Sequence, residues 1–404
     1  MKTILFFCSV FFALNSYAKV EVLFHPHDPT LEKIATWIEE AQSTVDIAMY
    51  NMETTSASPV IKALQSPSVQ KRIQEGSLQI RLIFEGYATP EENEKKMAAL
   101  ESLGIDVRYL GKSVKVHHKF AVIDAGLSNH KVITGSANWS LSSYRNYNEN
   151  ILFFTQENEI TSRYLQEFNR LWMNSKEFGQ HSDNNETSEV SFFDQGDVEV
   201  FFNSPRTLDK KSNEPSRLTD QVVRLINEAR SEIKIATTRV RLKPVLEALQ
   251  AAANRGVKIY LVISQDDFMD IGKRAQYLLS NRNLQLRVKF YNLEVSEYMA
   301  FQMHNKFMIV DNAKVLSGSF NWSESSEKSH IENLVELSGQ AADDVLPSYN
   351  KEFNDLWNMN RESLKPLSDY LKTSSKVSCA IKPMALSVSE IRQVLKLVKN
   401  CSQD

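Results

Sequence analysis

His117-His118-Lys119-Phe120-Ala121-Val122-Ile123-Asp124 returns later in the chain as His304-Asn305-Lys306-Phe307-Met308-Ile309-Val310-Asp311. Each copy runs into an apolar, β-branched segment and reads as a strand, whose side chains alternate between two faces. A period of two puts His117 with Lys119, and His304 with Lys306, on a common face. His118, Phe120 and Val122 take the other face, where a histidine is expected to be packed or hydrogen-bonded and not reactive. Asp124 and Asp311 have the opposite parity to their histidines and are expected to be structural. Downstream, Gly135-Ser136-Ala137-Asn138-Trp139-Ser140 is answered by Gly318-Ser319-Phe320-Asn321-Trp322-Ser323, and Asn148-Glu149-Asn150 by Ile331-Glu332-Asn333. Eleven residues separate Asn138 from Glu149 and Asn321 from Glu332.

Outward from these motifs the repetition continues in order. Val20-Glu21-Val22-Leu23-Phe24 recurs as Val198-Glu199-Val200-Phe201-Phe202, Pro59-Val60-Ile61 as Pro244-Val245-Leu246, and Glu167-Phe168-Asn169 as Glu352-Phe353-Asn354. Short β-branched runs alternate with helical stretches such as Leu31 to Ala41 and Leu218 to Ala229, which predicts an α/β fold of two similar lobes, each a mixed sheet flanked by helices. The expected organisation is a signal peptide at 1–18, a first lobe at 19–178, a polar linker at 179–197, a second lobe at 198–360 and a repeat-free tail at 361–404. The first copy carries four extra residues between Asp124 and Gly135, around Gly126 to His130, expected to lengthen a hairpin loop. Trp139 and Trp322 are expected in the core beneath the motif turn, and Trp172 and Trp357 in helix packing. In the tail, Ser387 and Glu390 form a capping-box pattern opening a helix with an apolar face of Ile391, Val394, Leu395 and Val398.

The residue types on the reactive face suit attack on a phosphodiester. One neutral imidazole can act as nucleophile while a second, protonated one donates to the leaving oxygen, and the two copies supply His117 and His304. Lys119 and Lys306 are expected to hold the non-bridging oxygens, with Asn138, Asn321, Ser136 and Ser319 as further donors. Glu149 and Glu332 can accept from the far ring nitrogens and fix each tautomer. His25 and His27 are expected to be solvated loop histidines. The sequence has no His-Glu-x-x-His, paired Cys-x-x-Cys or glycine-rich phosphate loop, so the usual warrants for a metal hydrolase or nucleotide-binding enzyme are missing.

His-x-Lys-x4-Asp followed by Gly-Ser-x-Asn, present twice and spanning most of the chain, resembles the signature of the phospholipase D superfamily. The resemblance implies two lobes about a pseudo-twofold axis, a phosphohistidine intermediate resolved by water or an alcohol, and no metal or other cofactor. It also implies that His117 is the nucleophile and His304 the acid. Both half-sites lie in one chain, so a monomer suffices and no partner protein is required.

Lys+Arg 47 against Asp+Glu 50 gives a formal net charge of −3, which excludes a global positive field for collecting nucleic acid. Met1-Lys2, an apolar run from Ile4 to Leu14 and Ser16-Tyr17-Ala18 have the layout of a cleavable secretory signal. The run is too short to span a bilayer, which takes about 20 residues. Export to a periplasm or the cell exterior is therefore expected, where Cys379 and Cys401 would pair.

The favoured substrate is a phospholipid cleaved at its head group, with peripheral contact at a membrane; the apolar Tyr298, Met299, Phe301 and Met303 leading into the second motif fit that reading but are expected to form an ordinary buried strand. The alternative is a nuclease whose groove would be formed by Arg239, Arg241, Lys243, Arg255 and Lys258. A third reading is a catalytically silent phosphate-binding protein.

Overall fold

In each half the strands assemble into an eight-stranded sheet of the same plan. The computed structural model describes residues 19–86, 90–111, 114–179, 196–211, 218–268, 272–294 and 301–402. The expected signal peptide, most of the linker, and Tyr298 and Met299 lie outside the described residues.

Edge to edge, the first sheet runs Lys19–His25, Glu149–Thr155, Lys131–Gly135, Lys119–Ile123, Thr44–Met49, Gln79–Phe84, Asp106–Tyr109 and Lys176–Glu177. The second runs Val198–Phe202, Asn333–Leu337, Lys314–Gly318, Lys306–Val310, Glu232–Thr237, Lys258–Ser264, Leu284–Asn292 and Ala380–Ser387. Both are mixed sheets, since Thr44–Met49, Gln79–Phe84 and Asp106–Tyr109 are parallel, as are Glu232–Thr237, Lys258–Ser264 and Leu284–Asn292, whereas each motif strand is antiparallel to its neighbours.

Helix Thr30–Glu40 buries Leu31, Ile34, Trp37 and Ile38, and helix Leu218–Glu228 buries Leu218, Val222, Leu225 and Ile226. These three- and four-residue spacings close an outer core on each sheet. A third core lies between the lobes and mixes their side chains, Phe120, Tyr164 and Phe168 with Phe307, Tyr349 and Phe353. Helix Gly339–Asn358 of the second lobe brings Tyr349 edge-on to Phe24 of the first at 5.3 Å, and helix Asn158–Met173 returns Tyr164 to Phe202 at 5.2 Å.

Asp124 and Asp311 do the structural work expected of them. Each stands just past its motif strand with positive φ (53° and 52°). The Asp124 carboxylate accepts from the backbone N–H of Gln42, Ser43 and Thr44, and that of Asp311 from Arg230, Ser231 and Glu232. Each therefore clamps the start of a central strand. Gly135 and Gly318 share a second constraint: their φ values are 152° and 150°, and a Cβ there would collide with the carbonyl oxygens of Asn150 and Asn333. The four extra residues of the first copy lengthen the hairpin between Ile123 and Lys131, as expected.

The repeat-free tail joins the second lobe through its sheet. Its strand Ala380–Ser387 pairs antiparallel with Leu284–Asn292 and completes the second sheet at the edge that Lys176–Glu177 occupies in the first. The capping box at Ser387 and Glu390 opens helix Val388–Leu397, which buries Ile391 and Val394. Cys379 and Cys401 are disulfide-bonded across 22 residues. Trp139, Trp322 and Trp172 are buried, and Trp357 stacks on Phe353 in helix packing. Among the described residues no helix is long and apolar enough to cross a membrane.

Closing a loop of this length removes roughly 3 kcal/mol of unfolded-chain entropy. Cys401→Ser is expected to lower the second lobe's unfolding free energy by up to about that amount, read from denaturant unfolding under oxidising conditions.

Candidate active site

The lobes are joined at the motifs by backbone. Lys115–Val116 pairs in parallel with His330–Ile331, and a bridge joins Asn148 to Met303. The N–H of His117 donates to the carbonyl of Ile331 at 3.0 Å, and that of His304 to the carbonyl of Asn148 at 2.9 Å. Each histidine is thus fastened to the residue just before the glutamate of the opposite lobe. The side chains follow: His117 Nδ1 lies 2.9 Å from Glu332 Oε2, and His304 Nδ1 lies 2.7 Å from Glu149 Oε1.

Both glutamates are fully buried. Burial alone would raise their pKa values, but the paired histidines outweigh it and hold both carboxyls below the usual range, Glu332 strongly so. The histidines move the same way for another reason. Burial lowers His304 to about 4 against the attraction of Glu149, and lowers His117 well below 6.5 against that of Glu332. Each resting imidazole is therefore neutral, its Nδ1–H donated to a carboxylate and its Nε2 left with a lone pair. Both rings open onto one cleft of about 290 Å³ at the lobe junction.

Asn138 and Asn321 line this cleft with the histidines, as expected. The lysines do not. Lys119 and Lys306 are each 1% exposed and donate from Nζ to the carbonyls of His117 and His304, both at 2.6 Å, so they stand behind the rings. Burial lowers Lys306 to about 8 and Lys119 well below its ordinary value. Ser136 and Ser319 depart further from expectation, being fully buried away from the cleft. Ser319 Oγ donates to Glu332 at 2.6 Å, and Ser136 Oγ accepts from the N–H of Asn150 at 2.9 Å. Their role is to hold the glutamate-bearing strand ends, because the Gly-Ser turn lies one layer below the Asn that follows it.

His118 sits on the opposite face, accepting at Nδ1 from Asn333 at 2.9 Å and meeting Glu167 through Nε2 at 3.1 Å. His25 is not solvated. It is buried against Thr30 and Ser143, and Ser143 Oγ in turn donates to Glu149 at 2.9 Å. His27 is exposed.

The expected five-residue basic groove does not form. Arg239 lines the cleft, but Arg241 is bound to Asp267, Lys243 pairs with Glu247, and Arg255 caps the carbonyls of Ile226 and Asn227. Lys258 begins a strand whose opposite end faces the motif. Sequence reasoning passed over Lys115, Tyr50, Tyr147 and His330, all on the cleft wall. Tyr50 and Arg239 follow the central strands Thr44–Met49 and Glu232–Thr237, and the crevice beyond the carboxyl ends of parallel strands is where such sheets bind ligands. That rule could have found Tyr50.

Two lobes sharing one cleft, with a His, Lys, Asn and Glu set from each, define a phospholipase D-type site. The chain belongs to the cardiolipin synthase, PLD-like domain family, whose model matches residues 34–172 and 222–357, within the phospholipase D superfamily. The mitochondrial cardiolipin hydrolase of Xenopus tropicalis is 29% identical over 148 residues, 36% of this chain and 63% of that protein. That of Danio rerio is 38% identical over 78 residues, 19% of this chain and 32% of the relative. The match thus spans less than two thirds of these relatives. Among solved structures, the phosphatidylserine synthase of Haemophilus influenzae superposes with a TM-score of 0.59 at 12% identity, covering 82% of this chain and 85% of the other. A polyphosphate kinase from Porphyromonas gingivalis gives 0.56 at 16% identity, covering 92% and 49%. At these identities the structures show the fold alone.

Two outcomes follow from the geometry. Glu149→Gln and Glu332→Gln each disable the histidine of the opposite lobe and should cost roughly a hundredfold or more in kcat on a generic aryl phosphodiester. Both histidines are lowered in the free enzyme, so the state with one ring protonated and the other carrying its lone pair is populated only below the ordinary histidine range. The bell in kcat/KM should therefore peak on the acid side of pH 6.5; a maximum at pH 8 would count against this assignment.

Proposed function

We propose that the protein is a phosphodiesterase that cleaves its substrate through a covalent phosphohistidine. The observation that carries this reading is the pair of neutral imidazoles, each keyed through Nδ1 to a buried glutamate and each opening onto the same cleft. In the first step Nε2 of His117 forms a bond to phosphorus while the P–O bond to the leaving group breaks, and the other histidine, His304, gives that oxygen its proton. The proton must be present when the ester is engaged, and an anionic phosphate bound beside His304 raises that ring's affinity for it. In the second step His304 takes a proton from water or an alcohol, whose oxygen attacks phosphorus and releases His117. Glu332 and Glu149 hold the Nδ1 protons throughout. The amides of Asn138 and Asn321 face the entering phosphate, and the two lysines supply positive charge from behind the rings. Assigning attack to His117 follows the family pattern.

We take the substrate to be a phospholipid, cut at its head group. The lipid names of the relatives support this, as does a cleft sized for a phosphate and head group while acyl chains remain outside. A nuclease is the second reading, and one observation favours it. The cleft wall is made of hydroxyls, amides, tyrosines and the cations Lys115 and Arg239, with Lys115 over the Tyr50 ring at 4.5 Å. Cation and aromatic surfaces of this kind also suit a nucleic-acid strand. We further infer that the protein is exported, which the leader-like N-terminus and the Cys379–Cys401 bond support.

The deciding experiment compares turnover of the purified protein, in excess chelator, on phospholipid vesicles and on single- and double-stranded DNA and RNA, with His117→Ala as control. Head-group release that disappears in the variant is the expected result. Nucleic-acid cleavage that disappears in the variant would replace phospholipid with nuclease, and silence on all substrates would overturn the enzymatic reading.

A further inference from the structure

The duplicated site offers an internal comparison, because the residue two positions before each glutamate is Tyr147 in one half and His330 in the other. Both line the cleft. Tyr147 lies with its ring centroid 6.0 Å from that of His304 and carries neither an imidazole nor a carboxylate. His330 changes the first histidine's surroundings. Its ring centroid is 5.7 Å from that of His117, and its Nδ1 lies 3.5 Å from Glu332 Oε1 and 3.3 Å from Ser326 Oγ. Glu332 therefore stands between two imidazoles, with Oε2 against His117 and Oε1 facing His330. Glu332 is fully buried, and its Oε1 has no hydrogen-bond partner within normal distance.

From the convergence of these three side chains we propose that His117, His330 and Glu332 form an inhibitory site for a divalent transition-metal ion of the Zn²⁺ class. This rests on the phosphohistidine reading for its consequence, though not for the binding itself. One donor atom from each residue lies within 4.8 Å of the others, and among the described residues this is the group of its kind. The carboxylate turns one oxygen to each ring, Oε2 at 2.9 Å from His117 Nδ1 and Oε1 at 3.5 Å from His330 Nδ1, each close to the ligand–ligand distance of about 3.4 Å that metal–ligand bonds of about 2.0–2.1 Å give. Two imidazoles and one carboxylate, with a fourth position left open, make a donor set that suits Zn²⁺ and not the hard ions Mg²⁺ or Ca²⁺, which take mostly oxygen.

Occupancy stops the reaction through the tautomer. In the metal-free protein His117 carries its proton on Nδ1, donated to Glu332, and keeps a lone pair on Nε2. A metal ion bound through Nδ1 takes that lone-pair position and leaves the ring neutral only with the proton on Nε2. Nε2 then has no electron pair to form a bond to phosphorus. The Glu332 carboxylate, engaged by the metal, no longer accepts from the ring. The Nδ1–H bond breaks as the metal–Nδ1 bond forms and the ring takes up a proton at Nε2 from solvent, with no change of oxidation state; a chelator reverses the exchange and restores the reactive tautomer. His304 has no such site, because Tyr147 replaces the third ligand and Lys306 Nζ lies 3.1 Å from its Nδ1.

The test uses the full chain freed of metal by chelator and dialysed. Zn²⁺ binding is measured by titration calorimetry and turnover on an aryl phosphodiester, for the natural protein and for His330→Tyr and His330→Gln, with Mg²⁺ as control. The expected result is one Zn²⁺ bound with loss of turnover, reversed by chelator, and a Zn²⁺ affinity roughly tenfold or more weaker in both variants, each referred to its own metal-free activity. The site is overturned if the natural protein binds no Zn²⁺, or if both variants bind it unchanged. Binding that depends on His330 but leaves turnover intact overturns the tautomer mechanism. If the natural protein turns over no diester at all, the phosphohistidine reading has failed, and the calorimetry still decides whether the metal site exists. Should either variant lose its fold by circular dichroism, the other variant carries the comparison. Should both unfold, the nitrogen resonances of wild-type histidines decide, since Zn²⁺ must move Nδ1 of two rings, and a spectrum unchanged by Zn²⁺ overturns the site.

Discussion

Two carboxylates and two imidazoles are buried where the lobes meet, and each would be costly there alone. An unpaired buried carboxylate gives up its hydration with nothing in return, and removing one member of such a pair leaves the other stranded. Here the partners come from opposite lobes: His117 with Glu332 and His304 with Glu149. The pairing is enforced by backbone, since each histidine N–H is bonded to the carbonyl just before the opposing glutamate. The two halves thus complete each other's electrostatics before either meets a substrate, and the apolar core between them makes the same demand through Phe24, Tyr164, Phe202 and Tyr349.

The same burial sets the protonation states. Desolvation lowers both imidazoles, and the glutamates recover only part of the shift while fixing which nitrogen carries the proton. The lysines, expected on the cleft wall, lie behind the rings, where they contribute field without closing the entrance. Besides the histidines, Asn138 and Asn321 together with Ser140 and Ser323 are the members of the repeated motifs that reach the cleft.

What is repeated and what is not divide along chemical lines. His, Lys, Asn, Glu and the clamping Asp occur in both halves because both histidines must be held and polarised in the same way. The walls diverge: Tyr147 stands against His330 two residues before each Glu, and Lys115 against Gln302 two residues before each His. A phosphodiester has two unlike sides, so an asymmetric wall around a symmetric reactive pair is what discrimination between them requires.

The motif strands, the two-lobed α/β plan, the opposite facing of His118 and Asp124, the capping box at Ser387 and the pairing of Cys379 with Cys401 were legible in the chain itself. Each depends on local periodicity, on a short-range pattern or on simple counting, and a period of two or a four-residue motif needs no knowledge of distant neighbours. Other features were fixed only by tertiary structure. These are the crossing of His–Glu pairs between lobes, the withdrawal of Ser136 and Ser319 beneath the site, the burial of His25 and the arrival of His330 beside His117. The dispersal of the basic residues into separate ion pairs and helix caps belongs with them. All concern which surfaces meet, and that is decided by packing two sheets whose contacting residues lie hundreds of positions apart. Sequence determined the reactive groups and the faces they occupy; docking of the lobes decided which nitrogen each histidine presents and what stands beside it.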